Sequence, residues 1–218
     1  MGRSIRIVPA ILTDDPAALK KMVRQAETFC DYVQLDIMDG GFVPTRSISA
    51  GDIAALKTPL AWEAHLMVKR PQIYFEDFKK AGAARIIFHY EATATPLGAI
   101  AAARSLGIDI GMAVNPGTDI MKILPLVEQI DSVLFMSVNP GFYGSPFIPA
   151  VLDSVTGFRR LFPDFEIGMD GGISEANIGT VARSGADYLC VGSGIFRKPD
   201  PAESYRLLSK AARAAVKA

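Results

Sequence analysis

Short apolar runs recur along this 218-residue chain at nearly regular intervals, and each is followed by a helix-like stretch with charges on one face. One run and the stretch after it take about 22–34 residues, the size of a single βα repeat. The predicted strands begin near Ile5, Tyr32, Leu60, Ala84, Ile108, Ser132, Phe165 and Tyr188. The helix-like stretches include Pro16–Thr28, Pro71–Ala81, Pro96–Leu106, Ile120–Gln129 and Ala150–Phe162.

The predicted strands are continuously apolar, as in Val133-Leu134-Phe135-Met136, which indicates a parallel sheet covered on both faces. Eight such units favour an α/β fold of one domain, a (β/α)8 TIM barrel spanning residues 1–218. The alternative is an open Rossmann-like sheet. That fold has a glycine-rich turn after its first strand, where this chain has Pro9-Ala10-Ile11-Leu12-Thr13.

The amino-acid composition limits the classes of function that this chain can have. The 23 basic and 23 acidic residues give a net charge of zero with no basic cluster, so we expect no nucleic-acid partner. No apolar stretch approaches the roughly 18 residues that span a bilayer, and the first residues show no signal-peptide pattern. The two cysteines, Cys30 and Cys190, are predicted to be reduced core residues. We therefore expect a cytoplasmic protein with no membrane association.

Polar side chains stand near the ends of several predicted strands, where a barrel has its functional face. A Met-Asp-Gly triplet occurs twice, at residues 38–40 and 169–171, and both histidines of the chain also fall near strand ends. Each aspartate could instead open a turn or cap a helix. That reading explains a single Asp-Gly but not several polar strand ends together. The candidate residues are Gln34, Asp36, His65, His89 and Asp170, with a structural role left open for His89.

Asp36 and Asp170 are expected to approach from opposite sides of the barrel. Two carboxylates in that arrangement could remove a proton from one face of a substrate carbon and return one to the other face. Gln34 lies two residues before Asp36 and therefore points to the same side of its strand. Together with His65, these side chains are candidates for a divalent-metal pocket that would stabilise an enediolate.

The loops after the last two strands are predicted to bind a phosphate group, which is their usual role in such barrels. They contain Gly171, Gly172, Gly192 and Ser193, although glycine also serves tight turns. The loop 139–145, with Gly141 and Gly144, is expected to form a further wall. The remaining predicted wall residues are Met38, Met67, Met136, Ala10 and His89.

Five stretches of the chain resemble the ribulose-phosphate 3-epimerase family, and the similarity runs in order from about Ile5 to Phe196. They are Val33–Pro44, with Met-Asp-Gly-Gly-Phe-Val-Pro; Ala64–Val68; Val114–Thr118; Met136–Phe142, with Met-Ser-Val-Asn-Pro-Gly-Phe; and Met169–Ile173. The resemblance implies a barrel of the ribulose-phosphate-binding type, cytoplasmic carbohydrate metabolism, and interconversion of D-ribulose 5-phosphate and D-xylulose 5-phosphate. It also implies a small-molecule ketose phosphate as partner and a possible homo-oligomer.

By the same resemblance, Asp36 and Asp170 are the catalytic acid and base, and they bind the metal together with His65. The phosphate cradle maps onto Gly144, Gly171, Gly172, Gly192 and Ser193. The implied cofactor is a divalent metal such as Zn²⁺, Mn²⁺, Mg²⁺ or Fe²⁺.

Three positions depart from the family pattern. Gln34 replaces a metal-binding histidine, Ala10 replaces a serine that contacts substrate, and Gly168 stands where glutamate is common. Gln34 is predicted to be a weak or substitute ligand through its carbonyl oxygen, so metal occupancy is left open.

These departures keep alternative functions open. Besides the pentose-phosphate epimerase, the chain could be a ketohexose-6-phosphate 3-epimerase or a sugar-phosphate-binding paralogue without catalysis. A lyase or synthase on the same type of barrel is less favoured, because the expected Schiff-base lysine is missing from the strand ends.

Overall fold

The computed structural model describes residues 5–142 and 144–217, in which eight parallel strands close into a barrel with β8 paired to β1. The predicted (β/α)8 fold is confirmed, and every strand begins within one residue of its predicted start. The strands are β1 Arg6–Ile11, β2 Tyr32–Met38, β3 Ala61–Met67, β4 Arg85–His89, β5 Asp109–Val114, β6 Ser132–Met136, β7 Glu166–Asp170 and β8 Tyr188–Val191. Residues 1–4, 143 and 218 of the predicted domain lie outside the described residues.

Helices connect the strands on the outside of the barrel. They are α1 Pro16–Ala26, α2 Ala50–Ala54, α3 Phe75–Ala81, α4 Pro96–Ser105, α5 Val151–Leu161, α6 Ile178–Arg183, α7 Ser193–Phe196 and α8 Pro201–Ala215. Prolines at the first helical position begin several of them, where the missing N–H costs nothing.

One connection differs from its expected form. The predicted helix at Ile120–Gln129 is a pair of 3₁₀ segments, Ile120–Lys122 and Leu124–Gln129. Pro125 supplies the reason, because it has no N–H and its ring would clash with the carbonyl four residues earlier in a continuous α-helix.

The apolar core has three parts. The largest part fills the space between the sheet and the helices, and a smaller part lies inside the barrel. The third consists of Met38, Val43 and Met67. The interior cluster includes Val8, Ile87, Leu134 and Tyr188. Polar side chains lie on either side of this interior cluster. They form two groups of different composition, one near the strand starts and one near the strand ends.

The lower of these groups lies near the strand starts, and we call it the lower ring: Arg6, Tyr32, Glu63, Arg85, Glu166 and Tyr188. Arg85 forms an ion pair with Glu166 at 2.6 Å and lies 3.7 Å from Glu63, and Arg6 also pairs with Glu166 at 2.6 Å. The Tyr32 hydroxyl donates a hydrogen bond to Glu63 at 3.0 Å. Arginine charges thus oppose the carboxylates at this end of the barrel.

Cys30 and Cys190 are both free thiols, as predicted from their positions on apolar segments. Within the described part of the chain, every helix is too short or too polar to cross a membrane.

Candidate active site

The upper polar group lies near the strand ends, and we call it the upper cluster: Gln34, Asp36, His65, His89 and Asp170. The β2–β3 register sets Asp36 beside His65, and the β6–β7 register sets Asp170 beside Met136. Side chains two residues apart on a strand point to the same side, so Gln34 and Asp36 both enter the barrel. The structure therefore brings together all five polar residues that were predicted from separate strands.

Gln34 joins the two aspartates. Its amide nitrogen lies 2.9 Å from Asp36 Oδ1 and 2.7 Å from Asp170 Oδ2, and it donates one hydrogen bond to each. The amide oxygen accepts a hydrogen bond from the Cys190 thiol at 3.0 Å. The atom predicted as a metal ligand is therefore turned away from the carboxylates, and a ligand role for Gln34 stays a prediction.

His65 contacts the same carboxylates from the next strand. Its Nδ1 is 3.0 Å from Asp36 Oδ1 and 3.4 Å from Asp170 Oδ2, and both neighbours are acceptors, so Nδ1 carries a hydrogen. Burial lowers the pKa of His65, but hydrogen bonds to Asp170 and Asp36 outweigh that effect and raise the pKa to about 9. These hydrogen bonds favour the protonated form of the ring over the neutral form.

His89 lies behind His65 and is also completely buried. The two Nε2 atoms are 3.0 Å apart, and His89 Nδ1 is 3.5 Å from Glu91, at the outer limit of a hydrogen bond. Burial lowers the pKa of His89, so it can accept the hydrogen of the His65 imidazolium. The prediction that His89 forms part of the pocket wall is wrong, because it lies outside the cavity lining and contacts His65 instead.

An open cavity lies above the upper cluster. Asp36 and Asp170, which are 7% and 8% exposed, reach its floor, whereas Gln34 and His65 lie beneath the floor with no exposure. Burial raises the pKa of Asp36, and the neighbouring Asp170 carboxylate raises it further.

The remaining predicted residues surround this floor. Those that line the cavity are Ala10, Met38, Met67, Met136, Gly141, Gly144, Gly171, Gly172, Gly192 and Ser193. Met38 and Met67 pack together with Val43 at the ends of β2 and β3. Met136 instead ends β6, beside the glycine-rich loops that follow β6, β7 and β8.

Backbone contacts fix the loops around the cavity. The Asp39 carboxylate accepts hydrogen bonds from the backbone N–H groups of Gly41, Phe42 and Lys69, so this second aspartate of the Met-Asp-Gly segment holds a turn. Thr45 donates to the Gly141 carbonyl at 2.5 Å and thereby joins the loop after β2 to the loop after β6.

Gly171 and Gly172 both have positive φ angles, at 110° and 63°. A Cβ on Gly172 would lie 2.9 Å from the backbone of Phe147, and a Cβ on Gly171 would collide with Val138. Only glycine allows the chain to pass this closely beside the cavity. The same steric argument explains why residue 168 is glycine. A Cβ at this position would lie 2.6 Å from the Tyr188 hydroxyl and closer still to its ring.

Asp36, His65 and Asp170 could hold a metal ion. One ligand atom from each lies within 4.8 Å of the others, and one imidazole with two carboxylates is a set that binds divalent metals. The residues therefore fit an ion at three positions once His65 releases the hydrogen on Nδ1, the atom that faces both aspartates. The fourth neighbour is the Gln34 NH2 group, which has no lone pair to donate to a metal.

Several lining residues were not predicted. Leu12, Val138, Ile173 and Cys190 also contact the cavity. Cys190 could have been found, since it lies two residues after Tyr188 on β8 and a strand that turns one of them inward turns both. Phe142, which is 60% exposed, belongs to the loop 139–145 that was expected to form a wall, and it also lines the cavity.

The fold and the site define a class, a (β/α)8-barrel enzyme with paired carboxylates at the C-terminal ends of its strands. The chain belongs to the ribulose-phosphate 3-epimerase family, whose family model matches residues 6–196. The predicted resemblance is confirmed, and with it the assignment to carbohydrate epimerases, which are isomerases.

Relatives from distant organisms cover nearly the whole chain. Ribulose-phosphate 3-epimerase of Candida glabrata is 32% identical over 97% of this chain and 94% of its own length. The cytoplasmic isoform from Oryza sativa is 35% identical over 94% of this chain and 93% of its own length.

Solved structures share the fold at lower identity. The 3-hexulose-6-phosphate synthase from Salmonella typhimurium superposes with a TM-score of 0.72 at 18% identity, covering 96% of this chain and 99% of that chain. An orotidine 5'-phosphate decarboxylase from Pyrococcus horikoshii gives 0.68 at 18% identity, covering 95% and 99%. These likenesses show the barrel alone.

Proposed function

We propose that this chain interconverts D-ribulose 5-phosphate and D-xylulose 5-phosphate, with Asp36 and Asp170 as its catalytic acid and base. The observation that carries the proposal is the placement of these two carboxylates on the cavity floor, on strands β2 and β7, within reach of one amide group. Family membership supports the reaction class, and the paired carboxylates support the division of roles.

In this mechanism one aspartate removes the proton from C3, and the electron pair of the broken C–H bond moves toward the C2 carbonyl to give an enediolate. The other aspartate enters protonated and delivers its proton to the opposite face of C3, after which the carbonyl re-forms. A raised pKa for Asp36 suits a carboxyl group that exchanges a proton near neutral pH. The N–H groups of Gln34 and His65 stabilise whichever aspartate is ionised.

A divalent metal held by Asp36, His65 and Asp170 would supply Lewis-acid stabilisation of the developing negative charge. The identity of the metal, with Zn²⁺, Mn²⁺, Mg²⁺ and Fe²⁺ as candidates, belongs to this proposal. The three-residue set supports such a role by its chemistry, and Gln34 opposes tight occupancy by presenting hydrogens.

The substrate phosphate is proposed to bind at the glycine-rich end of the cavity. Gly144, Gly171, Gly172, Gly192 and Ser193 line that end, and their lack of bulk gives a phosphate access to backbone N–H groups. Gly141 extends the same wall. The cavity methionines, Met38, Met67 and Met136, exclude water from C3, and Ala10 leaves one substrate hydroxyl without the contact that a serine would give.

We also propose that the protein works in the cytoplasm. Two free thiols are typical of a reducing compartment, and the rice relative is named a cytoplasmic isoform. Self-association stays a prediction from the resemblance.

Conversion of D-ribulose 5-phosphate followed by ¹H NMR tests the activity. We expect xylulose 5-phosphate to form, and ketohexose 6-phosphates in the same assay test the alternative substrate. Phosphate binding without turnover on any ketose phosphate would contradict the proposal and favour the non-catalytic paralogue. The matched variants are Asp170→Asn and Asp153→Asn, which change a cavity aspartate and an exposed aspartate of α5.

A further inference from the structure

Gln34 has an unusual environment for a neutral side chain. It is completely buried beneath the cavity, and its NH2 group faces the oxygens of two carboxylates at 2.9 and 2.7 Å. An amide NH2 has two hydrogens, so these two bonds use its full donor capacity. Both distances are within the range of well-formed N–H···O hydrogen bonds.

The orientation of this amide is fixed by its other end. The Cys190 thiol donates to Gln34 Oε1 at 3.0 Å, while both carboxylates lie on the nitrogen side. If the amide were flipped, its oxygen would face two negatively charged oxygens and its NH2 would face a weak acceptor. The hydrogen-bond network therefore assigns the nitrogen to the carboxylates.

Two carboxyl groups this close together repel each other in the state in which both are ionised, and that repulsion would separate them unless it were offset. Gln34 offsets it at a single point, since its nitrogen lies between Asp36 on its own strand and Asp170 on the far strand β7. His65 Nδ1 contacts the same two oxygens from the side. The pair is thus held by N–H groups, in a geometry that uses no metal ligand from position 34.

We propose that Gln34 is a positioning residue that aligns Asp36 and Asp170 by donating its two amide hydrogens to them, with Cys190 fixing the direction of the amide. A divalent ion would have to displace those hydrogen bonds, so the chain binds such ions weakly. The catalytic part of this inference rests on the proposed epimerase function, whereas the geometry of the amide and the weak metal binding do not.

The catalytic part is tested with Gln34→Met, which keeps the length of the side chain and removes both donors, and with Gln72→Met as an exposed control. We expect kcat to fall about 10- to 100-fold in Gln34→Met while KM changes little, and the control to match the wild type. Loss of substrate binding at unchanged kcat would overturn a positioning role. Circular dichroism establishes that each variant is folded.

Cys190→Ala provides a gentler second variant, because it leaves Gln34 in place and removes only its orienting partner. We expect a smaller fall in kcat than for Gln34→Met, and none in Cys30→Ala, the other free cysteine. An unchanged kcat in Cys190→Ala would overturn the orienting role of the thiol.

The amide itself is observable by NMR. In ¹⁵N-labelled wild type, the Gln34 NH2 pair should be shifted downfield and protected from hydrogen exchange, and assigned by its loss in Gln34→Met. The Asp170→Asn variant should weaken this protection. A rapidly exchanging Gln34 NH2 pair would contradict the bridge.

Metal affinity is tested on chelator-treated protein titrated with Co²⁺, whose visible absorption reports coordination. Gln34→His should bind Co²⁺ at least about 10-fold more tightly than the wild type, because an imidazole replaces a group that cannot coordinate. Equal or tighter binding by the wild type, lost in Gln34→Met, would show that the amide oxygen is a ligand and overturn the inference. These two readouts hold even if the wild type epimerises no ketose phosphate, a result that would defeat only the proposed function.

Discussion

The upper cluster and the lower ring both place acidic side chains inside the same barrel, but they balance the charge differently. In the lower ring, Arg85 and Arg6 both form ion pairs with Glu166 at 2.6 Å, and Arg85 lies 3.7 Å from Glu63. In the upper cluster, no arginine or lysine reaches Asp36 and Asp170 within the described residues. Their partners there are the amide of Gln34 and the ring of His65.

The difference distinguishes residues that stabilise the fold from residues that take part in the reaction. The lower-ring carboxylates face arginine side chains and are absent from the cavity lining, so a proton that they bind or release does not reach a substrate there. Carboxylates held by hydrogen bonds beside a cavity remain able to take up and release a proton. We therefore assign catalysis to the upper cluster and stability to the lower ring.

The largest expected effect is on turnover. Asp170→Asn should lower kcat by about 10²- to 10⁴-fold, because an amide cannot transfer the proton. Its free energy of unfolding should change little, since the amide still accepts the hydrogen bond from Gln34. Steady-state kinetics with chemical denaturation measures both quantities, and normal turnover would remove the distinction between the two regions.

The largest expected effect on stability comes from the lower ring. Arg85→Met leaves the buried Glu63 without its cation, whereas Glu166 keeps Arg6, so the free energy of unfolding should fall by about 3–5 kcal/mol. Arg160→Met, at an exposed position of α5, should change it by less than about 0.5 kcal/mol. Urea denaturation checks this, and kcat per folded molecule should be retained. A loss of kcat with normal stability would contradict the assignment.

A smaller effect is expected at Gly168, where the two regions meet through Tyr188. Gly168→Ala inserts a methyl group against the Tyr188 ring and should destabilise the fold by about 1–3 kcal/mol. In a double-mutant cycle with Tyr188→Leu, the cost should be less than additive, because the smaller side chain leaves room. Additive costs would show that the ring is not the obstacle.

The smallest expected effect concerns pH. Burial raises the pKa of Glu63 to about 7, although Arg85 opposes the shift. The folded state therefore binds a proton more tightly than the unfolded state, and this contribution to stability is complete below the ordinary pKa of glutamate and is lost as the pH rises through 7.

Glu63→Gln should remove that loss. Relative to the wild type, the variant should gain about 2 kcal/mol in free energy of unfolding between pH 5 and pH 8. Denaturation at the two pH values measures the difference. Identical pH dependence in both proteins would mean that Glu63 is already ionised at pH 5.

The barrel could be predicted because its strands are buried on both faces and so appear as uninterrupted apolar runs such as Val133–Met136. The continuous helix expected at Ile120–Gln129 was wrong, because Pro125 divides this stretch into two 3₁₀ segments. The grouping of polar residues at strand ends could also be predicted, since parallel strands bring their carboxyl ends to one end of the barrel.

The hydrogen bonds of the site could not be predicted from the sequence. The direction of the Gln34 amide depends on Cys190 and Asp170, which lie more than a hundred residues away in the sequence. The position of His89 outside the cavity lining has a related cause. Strand order places His89 near the site, but packing places it behind His65.

Deuterium exchange at C3 in D2O tests the central claim most directly, with each epimer supplied separately to Asp36→Asn and to Asp170→Asn. If the two aspartates act on opposite faces of C3, each variant should exchange the C3 hydrogen of only one epimer. The epimer that exchanges should differ between the variants, and neither should interconvert the sugars at the wild-type rate. Exchange of the same epimer by both variants, or undiminished epimerisation by either, would contradict the account.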